Sequence, residues 1–316
     1  MPSQLLSVVM PTHNRPEQLE RAVASVLSQQ IPEIELVIVD DASSDQTPEI
    51  TDRLATDHRV RVVRNAEPLG PSGARNAGIA VARGDLLGFC DDDDEWLPGA
   101  ANILMGALED NGELGVVTSW HRVVHDLTGK WVEYRGPTDF GADELLWFNF
   151  VALPFAIIRR SYFADDLSFD PRLRTCEDWD VWLRCAQIRP IKAVSQVLYI
   201  YHQHGGSRVT NEGAGIPGSR PEFLEKHTSS MTPACRIYHQ AVIAAEDAGR
   251  RAMLMEFAHA SSTTPVAAGL AASVLATSYA TSTIGMRRHD PGLPGRVVQR
   301  MVKGRLGSPK RARNEP

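Results

Sequence analysis

An apolar segment of the chain runs directly into a row of acids, in Gly84-Asp85-Leu86-Leu87-Gly88-Phe89-Cys90-Asp91-Asp92-Asp93-Asp94-Glu95-Trp96. Along an extended strand successive side chains alternate, which would place Asp91 and Asp93 on one side and Asp92 and Asp94 on the other. Carboxylates about 5–6 Å apart repel each other by about 3 kcal/mol at an effective dielectric constant near 20. The row therefore indicates a bound cation, Mg²⁺ or Mn²⁺, that carries substrate phosphates, with a solvated acidic turn as the alternative.

Strands and helices alternate on the N-terminal side of this segment. Near-continuous apolar runs predict strands at 5–10, 36–39 and 60–63, and a helix start follows each. Such alternation is typical of a mostly parallel α/β sheet flanked by helices. Ligands of these sheets bind outside the carboxyl ends of the strands. Polar clusters at 12–15, 40–45 and 91–95 follow strands in this way, which indicates a binding site at that edge.

The alternation ends after a helix predicted near 98–110. The sequence then predicts a hairpin around Thr128-Gly129, a short helix near 143–150 and strands at 153–158 and 194–201. An amphipathic helix with an acidic start begins at 177. Residues 209–222 are rich in Gly, Pro and Ser and predict a linker. A helical extension over 223–286 and a basic tail over 287–316 complete the chain.

Composition and charge are those of a soluble globular protein of 316 residues with a net charge of −6. The tail holds nine Lys or Arg against two acids, which leaves about −13 on the preceding 286 residues. Four cysteines without paired metal spacing predict free thiols in a reducing compartment, and hence a cytoplasmic protein. We expect no signal peptide, and 257–286 fits a packed helix better than a membrane span.

Four motifs, in this order and spacing, resemble the signatures of family 2 glycosyltransferases. They are Ser-Val-Val-Met-Pro-Thr-His-Asn-Arg (7–15), Val-Ile-Val-Asp-Asp-Ala-Ser-Ser-Asp (37–45), Gly-Ala-Arg-Asn-Ala-Gly (73–78) and Asp-Asp-Asp-Asp-Glu-Trp-Leu-Pro (91–98). A fifth segment, Glu-Asp-Trp-Asp-Val-Trp-Leu-Arg (177–184), resembles the catalytic segment of that family. The resemblance covers about 5–208 and extends to no part of 223–316.

The resemblance implies the GT-A type of nucleotide-diphospho-sugar transferase fold. The catalytic domain would be 1–208, with a nucleotide-sugar half at about 1–112 and an acceptor half at about 113–208. The reaction implied is an inverting transfer of one sugar from a nucleotide-diphosphate sugar to a hydroxyl of a glycan, lipid-linked or small-molecule acceptor. The Gln-X-X-Arg-Trp segment of processive synthases is absent, which argues against a polymerising enzyme.

The resemblance also assigns roles to single residues. The nucleotide-sugar pocket would be formed by Pro11, His13, Arg15, Asp41, Arg75 and Asp92. The metal, Mg²⁺ or Mn²⁺, would be bound by Asp93, with Asp91 as a competing ligand, because the family motif is usually read as Asp-X-Asp. Asp92 stands where the family usually has serine or alanine, which leaves the choice between the two ligands open. The general base would be Asp178. Apart from the resemblance, Glu177 and His204 are further possible site residues, and His204 could be a metal or phosphate contact or only an exposed loop histidine.

Alternatives remain open from the residues alone. Asp178 could be only a first-turn helix acid, worth about 0.3–1 kcal/mol, and Asp41 could be only a turn residue. The protein could be a nucleotidyltransferase, although no Gly-rich, Lys- or Arg-containing loop follows the first strand, or a non-catalytic nucleotide-sugar-binding module. The residues give no reason to expect a nucleic-acid partner. The tail could form a basic helix on an anionic membrane surface, or a disordered solubilising segment.

Overall fold

The computed structural model describes residues 4–151, 154, 156–163, 167–204 and 219–248. These ranges contain ten strands, β1 Leu6–Thr12, β2 Ile34–Asp40, β3 Val60–Arg64, β4 Leu86–Phe89, β5 Glu95–Trp96, β6 Val116–His125, β7 Lys130–Tyr134, β8 Asp139–Phe140, β9 Ile157–Arg159 and β10 Ile191–Gln203. Their helices are α1 Pro16–Leu27, α2 Thr47–Leu54, α3 Gly70–Val81, α4 Ala100–Asp110, α5 Ala142–Leu145, α6 Glu177–Ile188, α7 Arg220–His227 and α8 Pro233–Ala248.

The strands form a single mixed sheet whose main path runs β3-β2-β1-β4-β9-β6-β10-β5. β1, β2, β3 and β4 are parallel neighbours, and β6 is parallel to β10. β9 is antiparallel to both β4 and β6 and so joins the two parallel parts of the sheet. The carboxyl ends of β1, β2 and β4 consequently meet at one edge, which is where the polar clusters lie.

Strand β2 shows why the sheet is covered on both faces. Leu36 and Ile38 belong to one apolar cluster, Val37 and Val39 belong to a second cluster, and all four side chains are fully buried. Successive side chains of a strand point to opposite faces, so a continuous apolar run needs packing partners on both. Burying each such side chain contributes about 1.5–3 kcal/mol.

Helix α3 lies unusually close to the sheet because of Gly78. A Cβ atom at this position would lie 2.4 Å from Val9 Cγ1 and 3.0 Å from Val39 Cγ2, so no larger residue fits without moving the helix. Arg75 lies one turn earlier on the same helix. The close packing therefore holds the Arg75 side chain near the carboxyl edge of β1 and β4.

Helices α7 and α8 cover α6. The Phe223 ring stacks on Trp179 with a centroid separation of 4.4 Å. The His227 ring bonds through Nε2 to the buried Asp180 carboxylate at 2.8 Å. Both contacts anchor α6, whose first turn carries Glu177 and Asp178.

The predicted α/β class, the mostly parallel sheet, the hairpin of β6 and β7 and the helix at 177 are confirmed. Helix α7 begins at Arg220, inside the segment predicted as a linker, because Pro221 can occupy the first turn of a helix. The basic tail and most of the predicted helical extension lie outside the described residues. None of the helices in the described ranges has the length and apolar character to span a bilayer.

Candidate active site

The acid row folds into a tight turn. Asp94 N–H donates to Asp91 O at 3.2 Å, so the chain reverses direction directly after β4. The predicted alternation of four acids along an extended strand is therefore wrong. The turn sends the carboxylates to different partners: Asp91 to Arg75, Asp92 and Asp93 to Arg15, and Asp94 to the Tyr199 hydroxyl and His202 N–H.

Arg15 and His204 meet the middle of this turn from two other strand ends. The Arg15 guanidinium, which follows β1, contacts Asp92 Oδ1 at 3.2 Å and also pairs with Asp93 Oδ2. The His204 ring, which follows β10, lies with Nε2 2.9 Å from the same Asp93 oxygen. Burial opposes the charge on Arg15, but the carboxylates of Asp92 and Asp93 outweigh it and raise the pKa of Arg15.

Asp92 is buried with one oxygen unsatisfied. Its Oδ2 atom and the neighbouring strand-end hydroxyl of Thr12 are both buried and make no hydrogen bond of normal geometry, although the Thr12 hydroxyl lies close enough to lower the pKa of Asp92. Burial raises the pKa of Asp92 to about 7, with Arg15 opposing the shift and Asp93 adding to it. An unsatisfied buried oxygen of this kind costs about 1–3 kcal/mol, and a ligand could recover that free energy.

The donor chemistry of this turn fits a hard divalent cation. Within the described residues no group of three or more His, Cys, Asp or Glu side chains is arranged to hold a metal ion. Mg²⁺ that works on phosphates, however, is usually held by one or two carboxylates, with waters and substrate phosphates as its other ligands. Asp93 offers a buried carboxylate beside the His204 ring nitrogen, and Asp92 adds the unsatisfied oxygen.

Arg75 joins the acid row to helix α6. Its buried guanidinium donates from Nη2 to Asp91 Oδ1 at 2.9 Å and from Nη1 to Glu177 Oε1 at 3.0 Å. Burial works against the charge, but these two carboxylates raise the pKa of Arg75. Burial also raises the pKa of Glu177, against the opposing effect of Arg75. Both terminal nitrogens of Arg75 are thus engaged by protein carboxylates.

Asp178 occupies the first turn of α6, directly after Glu177. Its Oδ1 accepts the Trp179 N–H at 2.7 Å and its Oδ2 accepts Asn149 Nδ2–H at 3.0 Å. Burial raises the pKa of Asp178 to about 7, and the charge of Glu177 adds to the shift. A carboxylate with a pKa close to neutrality can take up a proton from a bound hydroxyl and later release it.

Asp41 and His13 lie at the carboxyl ends of β2 and β1. The buried Asp41 carboxylate accepts bonds from Asn65 Nδ2 at 2.7 Å, Leu69 N at 2.9 Å and Gly70 N at 2.8 Å. Asp41 therefore anchors the loop that leads into α3. These contacts are the ones expected of the alternative interpretation, in which Asp41 is only a turn residue. The exposed His13 ring lies with Nδ1 2.7 Å from Asp41 O, and the partly buried Pro11 precedes it on β1.

Strained backbone borders the site. Within the described residues, the non-glycine positions with positive φ are Asn14 at 53°, Ala42 at 59° and Cys176 at 64°. Each directly adjoins a predicted site residue, namely His13, Asp41 and Glu177. A conformation of this kind costs about 1–3 kcal/mol and is concentrated at functional sites.

Several residues that contact the predicted site residues were not predicted from the sequence. Asn149 reaches Asp178, the Arg21 side chain donates to Asp93 O at 2.8 Å, and Tyr199 bonds to Asp94. None of them belongs to a motif, and each finds its partner at least 29 positions away. No local pattern in the sequence could have indicated these contacts.

Replacing Arg15 with alanine should destabilise the protein when no divalent cation is present. The change leaves two buried carboxylates without their cation, and we expect the free energy of unfolding to fall by about 2–3 kcal/mol, less than for a fully buried pair because the Arg15 side chain is 22% exposed. Urea unfolding in EDTA measures this. The matched control, Arg53→Ala, removes the exposed pair with Glu20 and should cost less than about 1 kcal/mol. If Arg15→Ala were as stable as the wild type, Arg15 would not be the cation that compensates the carboxylates of Asp92 and Asp93.

Residues 7–167 match the model of a protein family described as Glycosyl transferase family 2. Over 102 residues the chain is 40% identical to the Campylobacter jejuni protein named GalNAc(5)-diNAcBac-PP-undecaprenol beta-1,3-glucosyltransferase, a match that covers 32% of this chain and 33% of that protein. The chain spans about a third of the length of this and two other curated relatives that it matches.

Two solved structures have a similar fold. One is S. aureus TarS in complex with UDP-GlcNAc, with a TM-score of 0.60 and 19% identity over 95% of this chain and 82% of that one. The other is the mannosyltransferase PcManGT from Pyrobaculum calidifontis in complex with GDP-Man and Mn²⁺, with a TM-score of 0.62 and 18% identity over 96% of this chain and 88% of that one. At these identities the likeness concerns the fold.

Proposed function

Since the chain belongs to glycosyl transferase family 2 and has a GT-A type fold, we propose that it moves one sugar from a nucleoside-diphosphate sugar to an acceptor hydroxyl, with inversion at the anomeric carbon. The observation that carries the proposal is the connection through Arg75, which contacts Asp91 of the acid turn and Glu177 beside Asp178. The turn would receive the diphosphate, and Asp178 would receive the acceptor. Arg75 holds the two acidic groups next to each other, which suits the two ends of such a displacement.

Asp178 is the proposed general base. As the acceptor oxygen attacks the anomeric carbon, its hydroxyl proton passes to the Asp178 carboxylate while the bond from that carbon to the diphosphate oxygen breaks. The pKa of about 7 supports this role, because a base is most effective near the pH at which it works. Direct displacement inverts the configuration and needs no second nucleophilic carboxylate. Glu177 would act through its charge, since it raises the pKa of Asp178.

Asp93 is the proposed main metal ligand, with His204 beside it. When bound, a divalent cation would neutralise the diphosphate as it leaves. Each of the two acids is paired with an arginine, Asp93 with Arg15 and Asp91 with Arg75, so the contact that favours Asp93 is the one with His204. Arg15 lies against Asp92 and Asp93 and would place a second positive charge at the diphosphate.

The nucleotide half, about 1–112, would hold the base and ribose at the ends of β1 and β2. We propose Pro11, His13 and Asp41 for the base, with Asp41 also keeping the loop before α3 in place, and Asp92 for the ribose. Both terminal nitrogens of Arg75 are engaged by Asp91 and Glu177. Arg75 would therefore serve the phosphate site indirectly, by holding these two carboxylates in place. The acceptor half, about 113–208, would present the acceptor to Asp178.

The names of similar proteins indicate the substrate class to test first. TarS was solved with UDP-GlcNAc and PcManGT with GDP-Man and Mn²⁺, and the Campylobacter jejuni relative is named for an undecaprenol-linked substrate. We propose a nucleotide-sugar donor and a glycan acceptor, the latter free or lipid-linked. A panel of UDP-, GDP- and dTDP-sugars, assayed for release of the nucleoside diphosphate with Mg²⁺ or Mn²⁺, tests the donor. Metal-independent release, or no release with any donor, would contradict the proposal.

The turnover number should depend on pH through Asp178. The active base is the ionised carboxylate, so kcat should rise about tenfold per pH unit below the pKa of about 7 and level off above it. The measurement is kcat between pH 5 and 9 at saturating donor and acceptor. A profile that is flat from pH 5 to 8 would exclude Asp178 as a rate-limiting base.

A further inference from the structure

We propose that Asn149 is a positioning residue for Asp178. Its side-chain amide holds one oxygen of the Asp178 carboxylate, and this keeps the carboxylate directed at the hydroxyl of the sugar acceptor, whose proton it takes up. The inference rests on the proposed function, in which Asp178 is the general base. Asn149 lies between α5 and β9, in the acceptor half. Nothing in its sequence surroundings marks it as part of the site.

The hydrogen bonds of Asn149 determine which way its amide points. Asn149 Oδ1 accepts the Val151 N–H at 3.1 Å, and Asn149 Nδ2 lies 3.0 Å from Asp178 Oδ2. A backbone N–H can only donate and an ionised carboxylate can only accept, so the two ends of the amide are not interchangeable. The amide N–H is therefore directed at Asp178, and this bond favours the ionised carboxylate.

The segment that carries Asn149 is anchored just before it. The Leu145 carbonyl accepts the indole N–H of Trp179, and the Leu146 carbonyl accepts His239 Nε2–H at 2.8 Å. Burial lowers the pKa of His239 to about 4, so this ring is neutral with its proton on Nε2. The Cys235 thiol donates to the same Leu146 carbonyl at 3.2 Å. Helices α6 and α8 thus fix the backbone from which Asn149 reaches Asp178.

The charges that face Asp178 oppose one another. Glu177, on the same helix turn, raises the pKa of Asp178, whereas Arg75 of α3 lowers it. Cys176 precedes them, and burial raises the pKa of its thiol to about 11, so it is neutral at physiological pH. Of the two bonds donated to Asp178 among the described residues, one comes from the Trp179 N–H of its own helix, and the Asn149 amide supplies the other from outside that helix.

Two substitutions separate the donated bond from the turn that Asn149 also stabilises. Asn149→Asp keeps an oxygen for the Val151 N–H but replaces the amide donor by a second carboxylate next to Asp178. Asn149→Ala removes both bonds. Asn111 provides matched controls, because its Oδ1 accepts the Glu113 N–H at 3.1 Å in the same two-residue turn on an exposed part of the surface.

The first readout is the ionisation of Asp178, followed by NMR in full-length protein labelled with ¹³C-aspartate. The signal of Asp178 is the one that disappears in Asp178→Asn. We expect its apparent pKa to rise by at least about one unit in Asn149→Asp, as one member of a carboxylate pair, and by less in Asn149→Ala. Asn111→Asp and Asn111→Ala should leave it unchanged.

The second readout is turnover with whichever donor the panel identifies. In Asn149→Ala we expect kcat to fall about tenfold, with KM for the donor changed less than about twofold, because a positioning residue acts on the chemical step. In Asn149→Asp the acid limb of the kcat profile should move up by at least about one pH unit, and higher pH should restore turnover. A residue with only a structural role would lower kcat equally at all pH values.

The outcomes separate this inference from the function on which it rests. Unchanged titration of Asp178 and an unchanged acid limb in a folded Asn149→Asp protein would overturn the role of Asn149. Full turnover of Asp178→Asn would instead overturn the role of Asp178 as base, whatever Asn149 does. Circular dichroism melting of each variant identifies those that fail to fold, and the NMR titration of Asn149→Ala then decides the question in place of an unfolded Asn149→Asp.

Discussion

Asp178→Asn is expected to lower kcat by at least about 10²-fold, while KM for the donor stays within about twofold. The amide keeps the shape of the carboxylate and can still accept the Trp179 N–H, but it cannot take up the acceptor proton. A positioned general base contributes about 10²–10⁴-fold to a rate, and this contribution would be lost. Rates of nucleoside-diphosphate release at saturating donor and acceptor measure kcat, and calorimetric titration with the donor measures its binding.

The control for Asp178→Asn tests whether removing an acid from the first turn of a helix affects only the stability of that helix. Glu49 is also an acid in the first turn of a helix, and it is exposed on α2. Glu49→Gln should alter stability by no more than about 1 kcal/mol and leave kcat unchanged. If Asp178→Asn loses donor binding and turnover together, Asp178 belongs to the nucleotide pocket or to the folded framework instead.

Asp93→Ala should reduce turnover to about 1% of the wild-type rate or less. The carboxylate is buried, lies against His204 and Arg15, and is our proposed ligand of the divalent cation. Neutralising a leaving diphosphate is worth several kcal/mol, and about 2.7 kcal/mol already corresponds to a hundredfold change in rate. EDTA should have the same effect on the wild-type protein, and Mn²⁺ should reverse it.

Direct measurement of Mn²⁺ binding by electron paramagnetic resonance gives a readout of Asp93 that does not depend on turnover. The affinity should fall at least tenfold in Asp93→Ala and stay unchanged in Asp110→Ala, which removes an exposed acid at the end of α4. Wild-type turnover that persists in EDTA would refute the metal-dependent mechanism. Unchanged Mn²⁺ affinity in a folded Asp93→Ala protein would mean that another acid of the turn, and not Asp93, is the main metal ligand.

The framework follows from local features of the sequence. The continuous apolar run 36–39 requires cover on both faces of the sheet, and the fully buried side chains of β2 confirm it. Polar residues after β1, β2 and β4 had to meet at one edge, because parallel strands end on the same side. The acidic first turn of α6 was equally visible in its sequence. These features depend on the residue and its near neighbours, so one sequence is enough to predict them.

The partner of each acid was decided by the tertiary structure. The turn at Asp91–Asp94 ended the expected alternation, because a backbone bond between Asp91 and Asp94 reverses the chain where the side-chain pattern alone suggested a strand. Arg75 meets Glu177 across 102 positions and His204 meets Asp93 across 111. Asn149 reaches Asp178 only because α6 and α8 hold the backbone before it. Contacts of this range depend on how distant elements pack, and no periodicity or motif of the sequence encodes them separately.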